Sequence, residues 1–108
     1  MNEDQTKPSD YVAAWITAHR NELGGTQQKF AWREAYSRMF CAEFETPEHL
    51  IQFCAWDNAC CLDILTLNKA TKETDYMVAG ECDGAAGIAQ RLDTFLQWLN
   101  VNEPNRNA

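Results

Sequence analysis

Apolar residues near the start of the chain recur at helical spacing. Val12, Trp15, Ile16, His19 and Leu23 fall on one face of a predicted first helix. Ser9 is placed to cap it, Asp10 lies near the positive end of its dipole, and Gly24 and Gly25 stop it. Thr26 then caps a second predicted helix running to about Phe44. Trp32, Ala35, Tyr36, Met39 and Phe40 form its buried stripe, and Glu34 and Arg38 make a supporting i,i+4 pair. Thr46-Pro47-Glu48 has the order of a helix restart: a cap, a proline at the first helical position, then a carboxylate. Leu50, Phe53 and Cys54 carry the inner face of that third helix.

The pattern changes after residue 59. The run from Cys60 to Leu67 predicts a strand, Asn68 to Thr74 is turn-like, and Tyr76 to Cys82 predicts a second strand. On that strand Tyr76, Val78 and Cys82 share one face, and Asp75, Glu81 and Asp83 the other. A rival reading continues the third helix through Leu67, which would make it longer than about 20 residues against a usual 11–12 or so. Asp83 caps a last helix, with Ile88, Leu92, Phe95, Leu96 and Leu99 on its apolar stripe. The expected fold is therefore α+β, three to four helices packed with a β-hairpin; the alternative is an all-α helical bundle. Residues 9–101 form a single globular domain in this reading, with 1–8 and 102–108 as flexible termini.

Composition supports a packed core. The 108 residues are 45% apolar and include four Trp, three Tyr and five Phe. A chain of this length buries about 60–70% of the surface its unfolded form exposes. No stretch approaches the roughly 20 apolar residues that cross a bilayer. Met1 to Pro8 lacks the basic-then-apolar order of a signal peptide, so the expected location is cytoplasmic. Five cysteines, an odd number that includes the adjacent Cys60 and Cys61, read as buried thiols in a reducing compartment.

Charge adds the most specific signal. Residues 39–90 hold nine carboxylates against Lys69 and Lys72 alone, which accounts for the whole net charge of −7. That balance argues against binding nucleic acid backbones or an anionic membrane surface. It suits a basic protein or protein complex as partner. Glu45, Glu48, Asp57, Asp63, Asp75, Glu81 and Asp83 are the candidate carboxylates, and Trp56 and Met77 the candidate apolar anchors. The expectation is a small acidic binding or inhibitory protein that covers a basic surface of a macromolecular partner. Small immunity proteins, antitoxins and phage-encoded inhibitors share this size and charge, an analogy of class that no motif here carries. The bland alternative is a solvated surface that promotes solubility.

Sharper chemistries fit less well, and no cofactor is expected. Cys54, Cys60, Cys61 and Cys82 with His19 and His49 lack the two closely spaced pairs of a structural zinc site. An enzyme or accessory subunit with a cysteine site near Cys82 is the competing expectation. There a helix N-terminus would lower the thiol pKa, but Glu81 and Asp83 would raise it. The loop Gly80 to Gly87 lacks the spacing of a phosphate cradle, and its acids lack the alternation of a calcium loop. Nothing in the sequence brings Asp57 and Asp63 together for acid–base chemistry.

Overall fold

The computed structural model describes residues 7–24, 26–33, 39–57 and 60–106, with the backbone alone for 26–33. Among these residues the elements are α1 (Pro8–Ala18), α2 (Arg20–Leu23), β1 (Thr26–Arg33), β2 (Met39–Glu45), β3 (His49–Trp56), β4 (Cys61–Asn68), β5 (Thr74–Val78) and α3 (Gly84–Asn102). The five strands form one antiparallel sheet in the order β1-β2-β3-β4-β5, each paired with its sequence neighbour. The protein is mixed α and β, and not an all-α bundle.

The expected second and third helices are strands. In β2, buried Phe40, Ala42 and Phe44 alternate with partly exposed Met39, Cys41, Glu43 and Glu45. In β3, His49, Ile51, Phe53 and Ala55 are buried while Leu50, Gln52, Cys54 and Trp56 face the other way. A period of two fits this burial, and a helical stripe joining Met39 to Phe40, or Leu50 to Phe53, does not. Trp32 lies on β1, whose side chains are outside the described residues; Ala35, Tyr36 and the Glu34–Arg38 pair lie outside them altogether. Thr46-Pro47-Glu48 makes a hairpin turn instead of a helix start. Thr46 N–H donates to the His49 carbonyl at 2.9 Å, and His49 N–H donates to Thr46 Oγ1 at 3.0 Å. Thr, Pro and an acid serve turns for the same reasons they serve caps.

The rest follows the sequence more closely. Strand β4 and the turn after it lie where expected, and Ile88, Leu92, Phe95, Leu96 and Leu99 are the buried residues of α3. Strand β5 spans Thr74–Val78, short of the expected Cys82, with an isolated bridge between Cys61 and Glu81 beyond it. The first helix starts at Pro8, so Ser9 lies in its first turn and is not its cap, and the N-cap Lys7 makes no side-chain cap bond. Instead Asp57, at the end of β3, accepts from Ser9 N–H at 2.8 Å and Ser9 Oγ at 2.9 Å. The helix breaks at His19, and α2 ends on Gly24, whose φ of 71° favours glycine.

Both long helices lie on the same face of the sheet. Trp15 of α1 and Phe95 of α3 flank Phe53 of β3, with ring centroids at 6.4 and 5.5 Å. Phe44 meets Phe53 edge-on, and Tyr76 packs between Phe95 and Trp98. Phe40, Phe44, Phe53 and Phe95 are at most 1% exposed, each contributing about 2–3 kcal/mol by removal of its ring from water.

The C-terminal stretch makes side-chain contacts as far as Arg106. Arg106 is buried, and its guanidinium donates to the carbonyls of Glu22, Leu23, Leu99 and Glu103, closing off the free end of α2. Residues 1–6 and 107–108 lie outside the described set. No helix among the described residues is long and apolar enough to cross a membrane.

Candidate functional site

No described helix lies over the second face of the sheet. Antiparallel register sorts its side chains into rows across the strands. Met39, Trp56 and Cys61 form one row, with Glu81 bridged to Cys61 at its end. Cys41, Cys54 and Asp63 form the next. Glu43, Gln52, Leu65 and Met77 form a third, and Glu45, Leu50 and Leu67 a fourth. Met77 is 70% exposed and Leu50 42%, unusual for large apolar side chains.

Two hollows of about 230 Å³ lie on this face. Trp56, Asp63 and Met77 line one of them, with Cys54 and Leu65 between them. Leu50, Leu65, Leu67 and Glu43 line the other. Three of the nine sequence-predicted site residues thus converge on one hollow, and Glu45 stands on the same face. Glu45 is paired to Lys69 at 2.5 Å, so part of its charge is already answered. Asp63 and Glu81 lie toward the β4 side of the face, where Asp63 Oδ1 accepts from Gly80 N–H at 3.1 Å.

The other predicted carboxylates are not brought to this hollow. Glu48 is exposed in the β2–β3 turn, and Asp83 occupies the N-cap of α3 without a side-chain cap bond. Asp57 is committed to Ser9. Asp75 was expected beside Glu81 and Asp83, opposite Tyr76, and the structure turns it to the inner face. Between Thr66 and Leu67 of β4, strand β5 advances two residues, from Tyr76 to Thr74, which leaves Asp75 as the extra residue of a β-bulge. The bulge points Asp75 at Thr66, Asn68 and His49, with oxygens 2.5 Å from Thr66 Oγ1 and 2.9 Å from His49 Nε2.

The cluster this creates was not visible in the sequence. His49 is 1% exposed, and its Nδ1 lies 2.8 Å from Glu103 Oε2. Glu103, also 1% exposed, accepts from Thr46 Oγ1 at 2.7 Å and from Glu48 N–H at 3.0 Å. Burial pulls the His49 pKa down, but the hydrogen bonds and charges of Glu103 and Asp75 outweigh it, so the value is raised. Burial pushes Asp75 up, and its bonds to Thr66, His49 and Asn68 bring it net below the ordinary carboxylate value. A carboxylate on each ring nitrogen holds a doubly protonated imidazolium. The partners lie 26 and 54 residues away in sequence, and no local motif links them. This cluster joins the β2–β3 turn, β5 and the end of α3, with no hollow beside it among those described.

The setting of Cys82 does not favour a nucleophile. Burial raises its thiol pKa, Arg91 lowers it in part, and Cys60 and Cys61 raise it further. Among the described residues no group of three or more His, Cys, Asp or Glu side chains is arranged to hold a metal ion.

Comparison with known protein families, with curated proteins and with solved structures finds no match to this chain.

Proposed function

We propose that this chain is a small acidic binding protein whose uncovered sheet face covers a basic surface on a protein partner, in the manner of an inhibitor or immunity protein. The observation that carries this reading is the hollow lined by Trp56, Asp63 and Met77, on a face that exposes Leu50 and Met77 amid carboxylates. Aromatic and methionine side chains ringed by charge are the composition of a binding patch. The carboxylates would steer a basic partner and fix its register, and Trp56 and Met77 would supply the apolar contact. The net charge of −7 points the same way and disfavours nucleic acid.

The test is a capture from host lysate at low and high salt with three baits. One is the parent, one carries Glu43→Lys and Asp63→Lys on the face, and one carries Glu73→Lys and Asp93→Lys away from it. Both variants change net charge equally. A basic protein held by the parent and the control bait, lost from the face variant and released by salt supports the reading. Equal capture by all three baits, or no capture by any, overturns it.

A further inference from the structure

Cys41 and Cys54 stand directly opposite each other on β2 and β3, with their sulfurs 2.9 Å apart. We propose that these two thiols are an oxidisable pair that closes to a cross-strand disulfide on the open face of the sheet, independently of whether that face binds a partner. Directly opposed residues of antiparallel strands have Cα atoms about 4.5–5.5 Å apart, inside the roughly 4.4–6.8 Å that a disulfide spans. The sulfurs are already in contact, so closure needs rotation about side-chain bonds and no change of register. Both residues are partly exposed on a face that no described helix covers, so a small oxidant can reach them.

The oxidant is a hydroperoxide. A sulfur of the pair attacks the peroxide O–O bond, forming a sulfenic acid and releasing water once the leaving oxygen is protonated. The second sulfur then attacks the sulfenic sulfur, forming the S–S bond and releasing a second water. Two thiols lose two electrons and two hydrogens, and hydrogen peroxide becomes two waters. Burial, the contact with Cys41 and the charges of Asp63 and Glu43 all push the Cys54 thiol up, so Cys54 keeps its proton at neutral pH. A thiol raised in this way makes the reaction slow compared with that of an activated thiol.

The internal competitors are Cys60, Cys61 and Cys82, where Cys82 N–H donates to the Cys60 carbonyl at 2.8 Å. The test treats the folded protein with hydrogen peroxide, blocks remaining thiols by alkylation, cleaves after glutamate and aspartate so that Asp57 parts Cys54 from Cys60 and Cys61, and maps linked peptides. Glu43, Glu45 and Glu48 lie between the two cysteines, so the linked pair is released as two joined fragments. The expected product has lost two thiols, with the Cys41–Cys54 link exceeding every other link by about tenfold or more, as pre-positioned groups should. In urea-unfolded protein that preference disappears. Cys54→Ser abolishes the link and leaves the circular dichroism spectrum unchanged. Recovery of both Cys41 and Cys54 as alkylated thiols, or the same mixture of links in folded and unfolded protein, overturns the proposal.

Discussion

Glu103 and His49 meet side chain to side chain at 2.8 Å, each about 1% exposed, and so tie the end of the last helix to the turn between β2 and β3. The same carboxylate also satisfies Thr46 Oγ1 and Glu48 N–H. Removing it leaves a buried cation and two donors short of a partner. Glu103→Ala should therefore cost about 3–5 kcal/mol, the range for breaking a buried pair from one side. Urea unfolding of the parent and variant measures this, and Asp75→Ala, at a partly exposed partner of the same ring, should cost less.

The cluster also sets a pH window. The folded pKa of His49 is raised above 6.5, so its stabilisation is complete below about that pH and is lost as pH rises through the folded value. The folded pKa of Asp75 is lowered below 3.8, so its contribution is present above that pH and is lost as pH falls through the folded value. Together they stabilise most between those two ordinary values. Urea midpoints measured across pH should decline on the alkaline side of 6.5. His49→Gln should flatten that limb, and an unchanged limb in the variant would place its origin elsewhere.

Asp57 caps the first helix from a distance. Asp57→Ala should cost about 1–2 kcal/mol, as the loss of a cap does. Hydrogen exchange should quicken in residues 8–12 before it changes in β3, which separates release of the helix from damage to the sheet.

The two faces of the sheet should respond oppositely to truncation. Leu50→Ser and Met77→Ser, at exposed positions, should leave stability within about 0.5 kcal/mol of the parent. Phe53→Ala, at 0% exposure among three other rings, should cost about 3–5 kcal/mol. Denaturation midpoints check both, and a large loss at Met77 would mean that the open face is covered in the folded protein.

The last helix was legible because its outer side is polar, so the period of its apolar residues stood out. The strands β2 and β3 were not, because their outer faces carry Met39, Cys41, Leu50, Cys54 and Trp56 beside the buried phenylalanines. Apolar side chains on both faces erase the alternation that marks a strand, and adjacent pairs such as Met39 and Phe40 then mimic a helical stripe. Asp63 was named from the acidic middle of the chain and Trp56 and Met77 as apolar anchors beside it, and the register of β3, β4 and β5 brings them together. The inward turn of Asp75 depends on one extra residue in β5, which no pattern of residue types announced. Cys41 and Cys54, thirteen positions apart, became neighbours only once both segments were strands.

Because each strand pairs with its sequence neighbour, a ribosome delivers the sheet in the order in which it zips together. The second of the two helices that flank Phe53 emerges after all five strands, and Glu103 later still. During that interval the nascent sheet shows apolar rings to solvent, and His49 waits without one of its two anions. Chaperones that bind exposed aromatic strands should therefore hold this chain until residue 106 has cleared the exit tunnel, and release it afterwards.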